Sequence, residues 1–125
     1  MLKELRIKNL AIICDLSVGF GNGLNVLTGE TGAGKSIIVD ALGLALGDRA
    51  QTDMIRSGEK EASVQAYFEL DDAVSLPDIG IDISKDIVLR RTLSASGKSR
   101  AFINDNMVTL HTLSEIGKSP ALYPR

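Results

Sequence analysis

The sequence predicts an α/β domain that combines a glycine-rich loop with an added antiparallel β-sheet. Residues 24–28 have the pattern of a short buried strand, residues 29–36 contain the glycines, and residues 36–46 are almost entirely apolar, as in a buried helix. Several other segments alternate like strands, whereas only one long helix is indicated. Because an ordinary doubly wound domain alternates strands and helices, the excess of strands predicts an added sheet.

Two strands are predicted at the N-terminus. Leu5 and Ile7 alternate with basic residues, and apolar residues alternate with polar ones from Cys14 to Phe20. The turn signal Gly21-Asn22-Gly23 joins the second run to the strand before the glycine-rich loop, so we expect the two N-terminal strands to be antiparallel. Cys14 falls on the apolar face of its strand, which predicts a small core residue rather than a reactive thiol.

Strands and turns are also predicted after the long helix. Residues 48–60 are polar and irregular, residues 64–70 alternate as a strand with one apolar face, and residues 71–85 have the composition of a surface connection. Residues 86–93 and 100–104 are expected to form a hairpin.

The last predicted elements are short. A turn at Asp105-Asn106 is expected to lead to an extended pair, Met107-Val108. The apolar spacing from Leu110 to Ile116 predicts one short amphipathic helix. His111 lies beside this helix without partners at metal-binding spacing, so a surface or capping position is expected.

Composition and charge restrict the class of protein. A chain of 125 residues with 44% apolar content can form one small domain with a core, and no apolar stretch has the length of a membrane span. No leader is recognised, and the single cysteine cannot form an internal disulfide, so a cytoplasmic setting is expected. The formal net charge of -2 argues against strong autonomous DNA binding, because non-specific affinity comes from Lys and Arg neutralising phosphates.

Residues 29–36, named here the phosphate loop, carry the chemistry. They match the pattern G-x-x-x-x-G-K-[ST], in which glycines let backbone N–H groups converge on phosphate oxygens. Lys35 is expected to contact the β- and γ-phosphates as the catalytic residue, and the Ser36 hydroxyl is expected to bind Mg²⁺. The predicted ATP contacts are Gly29, Glu30, Thr31, Gly32, Ala33, Gly34, Lys35 and Ser36. A glycine-rich turn without a ligand is the alternative, and the strand, loop and helix order disfavours it.

Basic residues gather on the predicted hairpin. These are Arg90, Arg91, Lys98 and Arg100. Contact with DNA is one interpretation, and a solvated hairpin edge protected by charge is the commoner one.

Three segments resemble one protein family. Residues 5–12, 23–36 and 99–104 are similar to the N-terminal segment of the RecN family, which are bacterial SMC-like ATPases of DNA repair and recombination. The likeness extends from Met1 to about Gly117. It implies a P-loop NTPase fold in which residues 1–118 form the N-terminal lobe of an ABC/SMC-type ATPase head, followed in the complete protein by a coiled coil and a C-terminal lobe.

The resemblance also implies partners and further site residues. ATP and Mg²⁺ are the expected cofactors, and the expected partners are the C-terminal lobe of the same head, a second head joined by ATP-dependent dimerisation, and DNA held by the complete assembly. The setting implied is cytoplasmic, at the nucleoid during double-strand-break repair. Arg6-Ile7-Lys8-Asn9 would lie near the base or ribose, and Arg56 near the nucleotide or DNA.

Departures from the family pattern limit what these residues do alone. The chain has no hydrophobic run ending in Asp-Glu and no Leu-Ser-Gly-Gly signature, so hydrolysis by this chain alone is expected to be negligible. Residues 119–125 match nothing expected of the family and are interpreted as an atypical tail, truncated or foreign. Two alternatives stay open: a stand-alone P-loop phosphotransferase, which needs an acceptor pocket and an Arg-rich lid, and a non-catalytic nucleotide-binding or dimerisation module.

Overall fold

A computed structural model describes residues 1–20, 32–70, 74–76, 81–83, 85–119 and 122 of the chain. Within these residues it contains eight strands and two α-helices, and Thr52–Met54 form a 3-10 turn. In chain order they are β1 (Leu2–Leu10), β2 (Ile13–Gly19), α1 (Gly32–Ala45), β3 (Glu61–Glu69), β4 (Val74–Leu76), β5 (Ile81–Ile83), β6 (Asp86–Ser94), β7 (Ser99–Ile103), β8 (Asn106–Val108) and α2 (Leu110–Gly117).

Six of the strands form one antiparallel sheet in the order β2-β1-β3-β6-β7-β8. The predicted pairing of the N-terminal strands and the predicted hairpin after residue 86 are both confirmed. β4 and β5 pair in a separate two-stranded sheet within the segment predicted to be a surface connection. That prediction was wrong in part, because strands of three residues are too short to show an alternating pattern.

The two helices cover one face of the six-stranded sheet, named here the inner face. α1 packs on β1, β3 and β6, and α2 packs on β7. Along β3 and β6 every second residue is buried, which places apolar side chains on the inner face and polar ones on the opposite, outer face. The core includes Leu5, Ile7, Val64, Ala66, Phe68, Ile87, Leu89 and Ile103 from the sheet and Ala41, Leu44, Ala45, Leu113 and Ile116 from the helices.

The prediction that Cys14 is a core residue was wrong, since Cys14 is exposed. The backbone of Asn9 is left-handed, with φ 55°, and this changes the alternation of β1 so that Leu10 is buried after Ile7. Leu10 pairs with Ile13, and Ile13 packs against the core in the place that a regular alternation would have given to Cys14.

The turns near the C-terminus follow ordinary rules of backbone conformation. Asn104 and Asp105 both have positive φ, 48° and 69°, as in a two-residue type I′ hairpin between β7 and β8. This turn lies one residue earlier than predicted. The short amphipathic helix is confirmed as α2, and the Thr109 hydroxyl caps it by accepting a hydrogen bond from the Thr112 N–H at 3.1 Å.

Leu122 lies within the predicted tail at residues 119–125. Leu122 is buried in the same core as the sheet and the helices. The tail therefore contributes at least this side chain to the fold, whereas its atypical origin stays a prediction. No helix in the described segments has the length and apolar content to cross a membrane.

The ends of α1 and α2 approach each other closely. Gly47 follows α1 with φ +103°, and a Cβ atom built on it would lie 2.7 Å from the Ser114 Cα atom in α2. A Cβ on Gly117 would likewise meet the Leu46 carbonyl oxygen. Glycine at these positions therefore lets the two helices share the inner face of the sheet.

We expect Gly47→Ala to lower the free energy of unfolding more than Gly58→Ala does. Both glycines have positive φ, but an added Cβ at Gly58 meets nothing within 4 Å. The backbone strain, about 1 kcal/mol, is common to both variants. Only Gly47→Ala adds the clash with α2, which costs about 1–3 kcal/mol more. Urea denaturation measures the difference, and equal losses would contradict the close helix contact.

Candidate functional site

α1 presents its N-terminus within the phosphate loop. The helix begins at Gly32, earlier than the predicted start at residue 36, so five residues of the loop motif belong to its first turns. Of the predicted ATP contacts, Gly29, Glu30 and Thr31 lie outside the described residues. The first N–H groups of a helix have no partner within the helix and form the positive end of its dipole. The first turn of α1 contains no acidic residue, so this end of the helix suits an anion.

α1 is amphipathic only in part. Ala41, Leu44 and Ala45 are buried against the sheet, and two of them are small, which brings the helix close to the strands. Ser36 and Asp40 are exposed, and so is Val39, with 57% of its surface accessible. The helix therefore has apolar surface on the side away from the sheet.

Arg91 fixes the C-terminal end of α1 to the middle of the sheet. Its Nη1 donates hydrogen bonds to the carbonyl oxygens of Leu44 at 3.0 Å and Asp48 at 2.8 Å, and its Nε donates to Ser99 Oγ at 2.6 Å. The carbonyls in the last turn of a helix have no partner within the helix, and a cation there also matches the helix dipole. Burial lowers the pKa of the Arg91 guanidinium, and the charge of Asp48 opposes that shift.

The position of Arg91 corrects the predicted basic cluster. Arg91 is only 2% exposed and lies on the inner face, whereas Arg90 lies on the outer face. Both interpretations of the cluster, contact with DNA and a solvated hairpin edge, were wrong for Arg91. Its side chain is buried, and β6 lies between β3 and β7 rather than at the edge of the sheet. Its alternation with Leu89 and Leu93 is the sequence signal that would have identified it as a buried residue.

The outer face carries a groove of about 220 Å³ lined by basic and polar side chains: Arg6, Lys8, Ser63, Gln65 and Arg90. Arg6 pairs with Asp15 at 3.3 Å, and the guanidinium of Arg90 lies over the Phe102 ring, 4.0 Å from its centroid. Arg6 and Lys8 were expected near the base or ribose of a nucleotide. The structure places them on the opposite face of the sheet from α1.

The turn between β1 and β2 is held by the segment that contains Arg56. The Ala11 N–H donates to the Met54 carbonyl at 2.7 Å, and the Arg56 N–H donates to the Asn9 carbonyl at 2.8 Å. Asn9 and Ala11 both have positive φ, 55° and 51°. Left-handed residues other than glycine are uncommon and often mark functional turns. Asn9 and Arg56 are thus neighbours through their backbones. The expected positions of Asn9 near the base or ribose and of Arg56 near the nucleotide or DNA stay predictions.

The far end of the outer face is acidic. Tyr67 donates a hydrogen bond to Asp86 Oδ1 at 3.0 Å, and this bond, with the nearby negative charges of Asp86 and Glu69, raises the pKa of the Tyr67 hydroxyl. Among the described residues, no group of three or more His, Cys, Asp or Glu side chains is placed to hold a metal ion. His111 is exposed, which agrees with its predicted surface position.

The fold and the helix that begins in the phosphate loop define the class of protein. The chain belongs to the family described as AAA domain, which matches residues 4–119. The predicted resemblance to RecN is also confirmed. The chain is 48% identical over 123 residues to DNA repair protein RecN of Bacillus subtilis, 43% identical to that of Vibrio cholerae and 45% identical to that of Deinococcus radiodurans.

The matches cover most of this chain and a small part of each relative. They include 94% of the chain against 21% of the Bacillus subtilis protein, 94% against 22% of the Vibrio cholerae protein, and 91% against 18% of the Deinococcus radiodurans protein. The chain therefore spans about a fifth of the length of the curated relatives it matches.

Solved structures confirm the predicted fold of an ATPase-head lobe. A chain from a study of ATP-driven dimerisation and DNA-stimulated activation of SMC ATPases has a TM-score of 0.74 at 22% identity, covering 92% of this chain and 76% of that one. The SMC head domain from Thermotoga maritima gives 0.66 at 23%, covering 92% and 41%. A structure of the recombination mediator protein RecF gives 0.66 at 15%, covering 90% and 29%.

We expect Arg91→Ala to destabilise the chain by about 2–4 kcal/mol, because it removes a buried, packed side chain together with its hydrogen bonds to Leu44, Asp48 and Ser99. Arg90→Ala is the matched control. It removes an arginine of the outer face with one cation–π contact, so it should cost about 1 kcal/mol or less. Urea denaturation of both variants checks this order, and a smaller loss for Arg91→Ala would contradict the role of Arg91 as a clamp.

Proposed function

We propose that this chain is the ATP-binding lobe of an SMC-like ATPase that acts in DNA double-strand-break repair and recombination through ATP-dependent head engagement. The observation that carries the proposal is the start of α1 at Gly32, inside the phosphate-loop motif and without acidic residues in its first turn. The membership of the AAA domain family and the similarity to RecN proteins support the same conclusion.

ATP and Mg²⁺ fit the residues present. The N–H groups at the start of α1 are donors for phosphate oxygens, and Ser36 is exposed in that first part of the helix. The roles proposed from the motif are a lysine contact to the β- and γ-phosphates from Lys35 and a hydroxyl ligand to Mg²⁺ from Ser36. When bound, Mg²⁺ would neutralise charge on the phosphates.

The first proposed partner would cover the apolar surface that α1 leaves exposed. The exposed Val39 on α1 supports a second layer over the helix, since burying an exposed apolar side chain is favourable. We assign that layer to the C-terminal lobe of the same head. A second head and DNA complete the proposed assembly, and its setting would be the cytoplasm, at the nucleoid during repair.

A stand-alone phosphotransferase is disfavoured by the segment after α1. Such an enzyme needs a mobile lid with arginines there. Instead, residues Met54 and Arg56 are joined to the β1–β2 turn by backbone hydrogen bonds, and Ile55 is buried. For this chain by itself, nucleotide binding with negligible turnover is the expected behaviour, because hydrolysis needs the residues of the C-terminal lobe.

We expect Lys35→Ala to reduce ATP affinity at least tenfold, about 1.4 kcal/mol, with the fold retained. The side chain is proposed to serve the ligand rather than the core. Isothermal titration with Mg²⁺-ATP measures the affinity, and Lys60→Ala, an exposed lysine before β3, is the control. Phosphate release is followed on the same samples. Unchanged affinity in Lys35→Ala, or rapid turnover by the unaltered chain, would contradict the proposal.

We expect Ser36→Ala to remove the part of ATP affinity that depends on Mg²⁺. The ratio of ATP affinities measured with and without Mg²⁺ should fall towards one, because the proposed hydroxyl ligand is lost. Ser57→Ala, which changes an exposed serine outside the helix, should leave the ratio unchanged. A normal ratio in Ser36→Ala would show that Ser36 does not bind the metal.

A further inference from the structure

We propose that Arg91 is a positioning residue for ATP binding, which acts with Ser99 to set the direction in which α1 presents its N-terminus to the phosphates. The inference rests on the proposed function for the identity of the ligand. It goes beyond the role of Arg91 in stability, because it concerns the affinity of molecules that are fully folded. Neither residue is expected to contact the nucleotide, since both act at the other end of the helix.

α1 is held most firmly in its C-terminal half. Among the residues whose side chains are described, the buried ones are Ala41, Leu44 and Ala45, whereas residues 36–40 are exposed or only partly buried. Two of the three buried side chains are alanines, and hydrophobic contact is non-directional. The apolar contacts therefore keep α1 on the sheet but fix its direction only loosely.

Directional bonds at the end of the helix add what the apolar contacts lack. Gly47 has φ 103°, and its N–H donates to the Leu44 carbonyl at 3.2 Å. The Asp48 N–H donates to the Gly43 carbonyl at 2.9 Å. A left-handed cap of this kind joins Asp48 to the last turns of α1. Arg91 donates to the carbonyls of Leu44 and Asp48, so it holds the helix and its cap together.

The guanidinium of Arg91 is oriented from its other side by Ser99. Its Nε donates to Ser99 Oγ at 2.6 Å, while Nη1 donates to the two carbonyls. Because Nε and Nη1 belong to one planar group, bonds in these different directions fix the plane. Ser99 is the first residue of β7 and pairs with Leu93 of β6. A continuous series of hydrogen bonds therefore connects the sheet with α1.

The length of α1 increases the effect of any change at this anchor. The helix Gly32–Ala45 has 14 residues and is about 20 Å long. A tilt of about 5° around its C-terminal end would move its first N–H groups by about 2 Å. Hydrogen bonds to oxygen are made over a range of only about 0.5 Å, so such a tilt would weaken several of them at once. Phosphate binding therefore depends on an anchor that the phosphates do not touch.

The first test compares two serines of the same hairpin. Ser99→Ala removes the acceptor that orients Arg91, whereas Ser94→Ala removes a hydroxyl that bonds with Ser96. Ser99 is exposed and Ser94 partly exposed, so both variants are expected to fold. We expect Ser99→Ala to weaken binding of Mg²⁺-ATP about threefold and Ser94→Ala to leave it unchanged. Isothermal titration calorimetry measures both affinities.

The second test compares Arg91→Lys with Ile103→Val. Lysine keeps the positive charge, but one ammonium group cannot replace bonds made by a planar guanidinium. Ile103→Val makes a small loss of core packing on β7, the strand that α2 packs against. We expect Arg91→Lys to weaken ATP binding about tenfold and Ile103→Val less than about twofold. Urea denaturation gives the stability of each variant, so that affinities are compared for folded protein.

Two readouts distinguish positioning from a general loss of structure. Unfolding lowers the number of binding-competent molecules, which appears as a lower stoichiometry in the titration, whereas misplacement of α1 raises the dissociation constant. Hydrogen exchange of α1 does not depend on ATP. The amides of residues 36–40 should exchange faster in Ser99→Ala and Arg91→Lys than in their controls, because a helix held less firmly opens locally more often. Exchange in the middle of β3 should stay the same.

The outcomes separate this inference from the proposed function. Weaker affinity at full stoichiometry in Ser99→Ala and Arg91→Lys, with faster exchange in α1, supports the inference. If the unaltered chain binds ATP and these variants bind it as tightly as their controls, the inference is overturned and the proposed function stands. Weaker binding that a lower stoichiometry explains entirely also overturns the inference. An unaltered chain that binds no ATP defeats the proposed function, and the inference with it.

Discussion

The hydrogen bonds of one buried guanidinium determine how the helix that begins in the phosphate loop is held. The last carbonyls of α1 require donors, and a buried arginine requires acceptors. Arg91 satisfies both requirements at once through the Leu44 carbonyl in the last turn of α1 and the Asp48 carbonyl just after the helix. Because Arg91 belongs to β6, near the middle of the sheet, the C-terminal end of α1 cannot move without breaking bonds to the centre of the domain.

The packing of α1 depends on this anchor. Ala41 and Ala45 bring the helix close to the strands, and Gly47 lets the chain turn beside α2. A helix fixed along one side and at its C-terminal end presents its N-terminus in a defined direction. Preorganised N–H groups bind an anion without the cost of ordering them at the time of binding. The structural role of Arg91 and the proposed role of the phosphate loop are therefore connected through one rigid helix.

How much could be predicted from the sequence depends on the regularity of each element. β3 and β6 alternate without interruption, so their faces and the buried position of Arg91 were readable from every second residue. The buried and exposed residues at the end of β1 could not be predicted in full. The left-handed Asn9 shifts the alternation, and a pattern of residue types does not show backbone angles. β4 and β5 were missed since pairing between two three-residue strands leaves no periodic signal.

The candidate site also has one part that the sequence predicts and one part that it does not. The phosphate loop was recognisable because its chemistry requires particular residues at fixed spacing along the chain. The groove of the outer face is lined by residues as distant in sequence as Lys8 and Arg90, and only the strand register brings them to the same groove. The prediction that the basic residues of the hairpin lie together therefore holds for Arg90 and Arg100, which share the outer face. It was wrong for Arg91, which belongs to the core.

Net charge and local charge lead to different conclusions for this domain. A formal charge of -2 argues against strong non-specific binding, but charges in water are screened beyond about 8–10 Å at moderate salt. A phosphate near Arg6 and Lys8 therefore responds mainly to the charges close to it, which are these cations and Asp15, 3.3 Å from Arg6. The acidic end around Asp86, several residues further along the strands, contributes less. Repulsion from the rest of the chain would limit affinity without abolishing the preference of the groove.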